Sequence, residues 1–412
     1  MFTNIFLVML ATSTLVQLWL ARRQAHYVRT HQTAVPDAFA EKITLEDHQK
    51  AAHYTLTKNR FGQLMLVIEV LILLLWTLGG LLNWLDQSWR GMEWSSLWTG
   101  VAVIVSMMVL SSLIDLPSSI YSTFRIEAKF GFNRTTPKIF VIDLLKSLAL
   151  SLVIGVPLIA LILWLMESMG SLWWIYVWGV LMAFNLLMLW AYPTFIAPWF
   201  NEFKPLEDDE LKQRIEQLLS QIGFKSQGIF VMDGSKRSGH GNAYFTGLGN
   251  NKRIVFFDTL LESLNHDEIE AVLAHELGHF KRKHVAKLLI IMSLLSLGGL
   301  ALLGWLMQNN WFYNDLGVET PSTYTALILF TLIMPAFTFF LHPVTSWFSR
   351  KHEFEADDFA AEHSHPSFLI QALVKLYKEN ASSLTPDPLY SAFYDSHPPA
   401  PVRVAHLSAK LT

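Results

Sequence analysis

The sequence predicts a mainly α-helical protein that crosses a membrane seven times and carries a small α/β portion outside the bilayer. Three observations point there. Hydrophobic residues make up 52% of the 412 residues and charged residues only 16%, against about 25% charged in an ordinary soluble domain. Seven apolar runs reach the roughly 17 to 25 residues that a membrane helix needs; they cover approximately 3–21, 62–85, 97–121, 140–166, 172–195, 285–307 and 324–348. Two stretches outside these runs, 196–284 and 349–412, have the mixed composition of chain that folds in water.

The first run lacks a basic start and a small-x-small cleavage site, and Arg22 and Arg23 follow it. It is therefore expected to be retained, with the N-terminus outside. The segment 22–61 then carries Arg22, Arg23, Arg29, Lys42, Lys50, Lys58 and Arg60, and 125–138 carries Arg125, Lys129, Arg134 and Lys138. The loops 167–171 and 308–323 contain no Lys or Arg. Positive loops stay on the cytoplasmic side. Alternation then puts 22–61, 125–139, 196–284 and the C-terminal 349–412 in the cytosol, with Arg90 as the one positive charge on the wrong side.

Four segments follow in order. Residues 1–195 form five membrane helices with their loops, 196–284 a cytosolic α/β piece, 285–348 a pair of membrane helices and 349–412 a cytosolic tail. In 196–284, LKQRIEQLLSQIGF has helical periodicity, while GIFVMD, NAYFTGL and KRIVFFD are short β-rich runs between Gly and Asn turns. NHDEIEAVLAHELGHF starts a helix, with Asn265 as N-cap and Glu268 three residues on. This catalytic-segment helix is expected to run on into the sixth span. The tail holds helices through EFEADDFAAEH and FLIQALVKLYKENAS, then a proline-rich SHPPAPVRVAHL. There is no internal repeat, which speaks against a transporter despite Glu69, Asp115 and His342 inside predicted spans. Those three are expected to face a hydrated chamber.

A net charge of -3 offers no basic field for nucleic acid. The absence of cysteine removes disulfides, iron–sulfur clusters, thiolate zinc sites and cysteine nucleophiles. A metal here must be held by nitrogen and oxygen.

His275 and His279 stand four apart on the predicted helix, so both imidazoles reach one point on one face, as tetrahedral zinc requires. Glu276, beside the first of them, is placed to reach a water rather than the metal and to act as general base. Gly278 is expected to keep the helix surface open beside the metal. No histidine follows at the spacing that would supply a third ring, so the third ligand is expected from an acidic residue on a later helix. EFEADDFAAEH offers Glu353, Glu355, Asp357, Asp358 and Glu362. Glu353 and Asp357 share a face, one able to bind metal while the other steadies a ligand histidine; spacing alone leaves the choice open.

Together, ITLEDHQKAAHYTLTK, DGSKRSGHGNAYFTGL, KRIVFFDTLL, AHELGHF, SRKHEFEADDFA and SHPPAPVR resemble the CAAX prenyl endopeptidase family, integral-membrane zinc metalloproteases of the a-factor converting type. The likeness runs along most of the chain. It implies seven transmembrane helices enclosing a large hydrated chamber, with a zincin-like catalytic domain facing it and one Zn2+ per chain. It implies Glu353 as third ligand and Asp357 as the acid behind a ligand histidine. It implies Asn242, Ala243 and Tyr244 as an edge strand that pairs with extended substrate, His397 as donor to the oxyanion, and Arg403 as a substrate contact. Gly241 stands where the family pattern has Ser.

The implied activity is cleavage near the C-terminus of peptide or protein substrates carrying an isoprenoid, with membrane lipid as the surrounding partner. The alternative within the enzyme class is a quality-control protease for damaged or jammed membrane proteins. The loop between the last two spans is short compared with eukaryotic members of that family, which favours a bacterial inner membrane; in a eukaryote the membrane would be that of the endoplasmic reticulum. A zinc-binding scaffold without catalysis is disfavoured by the intact Glu276. His284, His352, His363 and His365 are expected at the interface or surface, and His240 in a flexible loop.

Overall fold

The computed structural model describes residues 1–247 and 252–411; Leu248, at the end of NAYFTGL, lies outside them. Seven helices among the described residues are long and apolar enough to cross a membrane: Phe2–His31, Leu45–Trp76, Ser96–Phe130, Pro137–Ser168, Gly170–Phe200, His284–Leu306 and Thr323–His363. The protein is an integral, multi-pass membrane protein.

The second span differs from its expected position. It begins at Leu45, where the Thr44 side chain caps the helix by accepting from Asp47 N at 3.1 Å. It stops at Trp76, and Gly80, at a left-handed φ of 76° that a residue with a Cβ resists, turns the chain beyond it. A separate helix, Leu81–Arg90, follows. In it, fully buried Asp86 accepts from Tyr324 Oη at 2.7 Å and from Arg90 Nε at 2.8 Å. The charge of Arg90 is thus paired within its own helix.

Among the described residues the two larger apolar cores lie apart. One joins the spans to the loops at the far end, through Trp76, Leu82, Phe312, Tyr313 and Tyr324. The other joins the two water-soluble segments into one body, through Ile254, Phe256, Leu273, Leu277, Leu369 and Leu407, with Phe39 and Ile43 from the connection between the first two spans. Pieces far apart in sequence are therefore one folding unit at one end of the bundle.

That unit contains a four-stranded sheet of β1 (Phe203–Pro205), β2 (Ile229–Met232), β3 (Ala243–Thr246) and β4 (Arg253–Phe257), in the order β1-β2-β4-β3. β2 and β4 are parallel; the other pairs are antiparallel. β1 was not expected, since three residues are too few to show alternation. β3 lies at the edge.

The catalytic helix, His266–Lys281, opens on the expected capping box: Glu268 N donates to Asn265 Oδ1 at 3.0 Å and Asn265 N to Glu268 Oε2 at 2.8 Å. It does not run on into the sixth span. Lys283 takes a left-handed φ of 56°, and a new helix starts at His284. Nothing in the composition of Lys281–Arg282–Lys283 marks that break. The seventh span continues through a 3-10 turn at Phe339–Leu341 into the helix His342–His363, which carries Glu353.

Candidate active site

The catalytic helix packs against the helix His342–His363. Their crossing is set by Gly278, where an added Cβ would meet Ala356 Cα at 2.9 Å and Ala356 O at 3.2 Å. The glycine therefore serves backbone approach of the second helix, not an open surface beside the metal.

At this crossing His275, His279 and Glu353 converge. The two Nε2 atoms are 3.2 Å apart; His279 Nε2 lies 3.3 Å from Glu353 Oε1 and His275 Nε2 lies 3.5 Å from Glu353 Oε2. A tetrahedron with metal bonds of about 2.0–2.1 Å has edges of about 3.3–3.4 Å. The separations are close to that edge, with each histidine facing its own oxygen of Glu353. Glu353 is buried, and its Oε2 has ion-pair neighbours but no aligned hydrogen bond. An oxygen left so is a misfit in a closed core and suits a ligand atom. Donor set and spacing fit zinc.

Behind His275, Nδ1 lies 2.8 Å from Asp357 Oδ1. Asp357 is fully buried and also accepts from Arg403 Nε at 2.9 Å. Burial acts to lower the pKa of Arg403, and the Asp357 carboxylate outweighs it, holding the guanidinium charged. Burial and the charge of Arg403 likewise act to lower His275, and its bonds to Asp357 and Glu353 carry it net upward. Arg403, expected at the substrate, is buried, with Nη1 3.6 Å from Glu353 Oε2. Its position beside Asp357 could not be read from a proline-rich tail.

Glu276 is half-buried on the same helix and has no hydrogen-bond or ion-pair partner among the described residues. His397 is the opposite kind of residue from Arg403. Its side chain is 64% exposed, yet Nδ1 stands 2.7 Å from Glu353 Oε2. It lines a cavity of about 1170 Å³ together with Asn242, Gln17, Lys58 and Glu69. His397 thus links Glu353 to a chamber between the soluble body and the first two spans. A second cavity of about 690 Å³ shares Gln17 and Glu69 with it and adds Asp115 and His342.

β3 packs against the catalytic helix. Asn242 O accepts from Phe257 N at 3.0 Å. Alternation in an antiparallel ladder then turns the N–H and C=O of Ala243 and Phe245 away from β4. The side chain of Asn242 already caps Ala243 N–H at 2.8 Å, so Phe245 carries the free donor of this edge. Tyr244 pairs with Val255 and turns its own backbone inward. His240 is not in a loose loop: its Nδ1 lies 3.1 Å from Asn380 Oδ1 and its ring stacks on Phe132 at 4.3 Å.

His284 also departs from expectation. It opens the sixth span but is not at the surface: it is 4% exposed, and its Nδ1 lies 3.0 Å from Nδ1 of His279. Its place in a basic run concealed it.

Comparison with known proteins agrees with this architecture. Residues 24–202 match the family model described as CAAX prenyl protease N-terminal, five membrane helices, and residues 205–411 match Peptidase family M48. The CAAX prenyl protease 1 of Saccharomyces cerevisiae is 35% identical over 418 residues, covering 94% of this chain and 91% of that protein. The CAAX prenyl protease 1 homolog of Arabidopsis thaliana is 36% identical over 377 residues, covering 89% and 88%. The crystal structure of S. mikatae Ste24p superimposes with a TM-score of 0.91 at 32% identity, over 98% of each chain.

Proposed function

Because this chain belongs to the CAAX prenyl protease family, the membrane zinc metalloendopeptidases of Peptidase family M48, we propose that it cleaves near the C-terminus of prenylated CAAX-type substrates. The observation that carries this is the His275–His279–Glu353 triangle beside a chamber that reaches in among the spans. Peptide would enter from the water-soluble body while an isoprenoid stays on the membrane side of the same cavity.

His275, His279 and Glu353 would hold the zinc. The ion supplies a Lewis acid and a water of lowered pKa. Glu276 takes the proton of the attacking water and passes it to the leaving amine. The exposed ring of His397 donates to the developing oxyanion. Asp357 keeps His275 in the tautomer with its proton on Nδ1, and Arg403 holds Asp357; only Nη1 of Arg403 remains for a substrate group. Asn242, Ala243 and Tyr244 with Phe245 offer the strand edge along which an extended substrate lies.

The working division of the chain is 1–195, 196–284, 285–348 and 349–412. The positive loops favour a cytosolic active site, and the short segment after the sixth span favours a bacterial inner membrane.

The second reading, a quality-control protease, draws on the polar lining of the chamber, where Gln17, Gln24, Lys58, Asn59 and Gln63 would suit unlipidated peptide. Purified protein in detergent should be given one CAAX peptide with and without a farnesyl group, beside Glu276→Gln. Cleavage of the farnesylated peptide in preference, by wild type only, supports the proposal. Equal cleavage of both peptides moves the assignment to the second reading. Cleavage by Glu276→Gln removes the assigned base.

A further inference from the structure

His279 turns Nε2 toward His275 and Glu353. If that nitrogen binds metal, the ring proton must sit on Nδ1. Nδ1 lies 3.0 Å from His284 Nδ1, which then accepts. The proton of His284 is accordingly on Nε2, and that atom lies 3.0 Å from Glu355 Oε2. One placement of protons satisfies every member of the chain: ligand imidazole to second imidazole to carboxylate.

The three come from three elements. His279 lies near the end of the catalytic helix, His284 opens the sixth span, and Glu355 sits on the helix that also carries Glu353. His284 is buried, and His352 stacks on its ring at 4.0 Å and 11°. Its plane is therefore fixed on two sides. His275 has Asp357 directly behind it at 2.8 Å; His279 reaches its carboxylate only through another ring.

We propose that His284 is a positioning residue for the zinc centre: it accepts the Nδ1–H of His279, fixes that ligand's tautomer and plane, and is held in turn by Glu355. Outer partners of metal-bound histidines act in this way by raising ligand basicity and removing rotational freedom. The inference rests on the reading of His279 as a ligand.

The test measures zinc affinity of the full-length protein in detergent by competition with a chromophoric chelator, with metal content per chain as a second readout. His284→Ala should weaken zinc binding by about 10- to 100-fold. His284→Asn puts an oxygen where Nδ1 stood and should recover most of the affinity. His284→Gln puts its polar end where Nε2 stood, keeps the link to Glu355 but not to His279, and should stay near the alanine variant. Glu355→Ala should weaken binding and Glu355→Gln should do so less. Unchanged affinity in all His284 variants overturns the proposal. So do equal losses in the Asn, Gln and Ala variants, which would make the ring a packing element only. Should His284→Ala fail to fold, the Asn and Gln pair decides. His279→Ala separates the two levels: zinc retained in that variant overturns the ligand assignment itself, whereas zinc lost there and kept in His284→Ala and His284→Gln overturns the relay alone.

Discussion

A methyl group on Gly278 would stand 2.9 Å from the Cα of Ala356. The helix bearing His275 and His279 and the helix bearing Glu353 therefore touch backbone to backbone at the turn where the ligands meet. Gly278→Ala must push the helices apart. Overpacking of this kind costs about 1–3 kcal/mol, and the displaced Glu353 no longer closes the triangle. Thermal unfolding in detergent and zinc content should both fall; wild-type values for both would show that the crossing is loose.

Glu276 is assigned to proton transfer and not to metal binding. Glu276→Gln should lower kcat by about 10²–10⁴-fold while the zinc content and melting temperature stay at wild-type values. Loss of zinc in that variant would place Glu276 among the ligands.

Asp357 and Arg403 form a buried pair, 0% and 8% exposed at their side chains. Removing one partner leaves the other charge uncompensated, a loss of about 3–5 kcal/mol. Asp357→Ala and Arg403→Leu should each lower stability strongly, and the double variant Asp357→Ala/Arg403→Leu by less than the sum. Additive losses in thermal unfolding would mean the pair is not coupled.

His397 reaches the site from an exposed turn, so its removal spares the fold. His397→Ala should reduce kcat/KM by about 10²–10³-fold, the usual cost of one oxyanion donor, with zinc still bound. An unchanged rate would assign the oxyanion contact elsewhere.

Zinc binds the native state, so its removal costs stability as well as activity. A ligand present at 100 times its dissociation constant contributes about 2.7 kcal/mol. Chelation should lower the melting temperature and abolish cleavage, and added zinc should restore both. A melting temperature that ignores chelation would mean that zinc does not bind the native state in preference to the unfolded one.

The convergence of His275 and His279 was legible because helical periodicity brings residues 275 and 279 to one face whatever the tertiary structure. The seven spans were legible from hydrophobic length, apart from the second, whose start depends on a threonine cap and beyond whose end Gly80 turns the chain. Glu353 was only one of several acids until the family motif singled it out; its meeting with the histidines needs the membrane hairpin to return the chain. The burial of Arg403 and His284 was not legible. Each looks like a surface residue in its local context, and each is buried by a segment distant in sequence: Arg403 under the Asp357 helix, His284 under the same helix one turn nearer the membrane. Gly278 was legible as a special position, but the reason for it lay in a partner helix that local sequence does not reveal.

With Lys283 in the left-handed region, the catalytic helix and the sixth span are joined by a bent peptide and not by one rigid rod. A hydrophobic length that mismatches its bilayer is accommodated by tilt. Tilt taken up at residue 283 leaves the separation of His275 and His279 untouched, because both lie on the water-soluble side of that pivot. The histidine pair is thereby insulated from bilayer thickness, whereas Glu353 rides on the continuation of the seventh span, so a change of lipid reaches the third ligand before the first two.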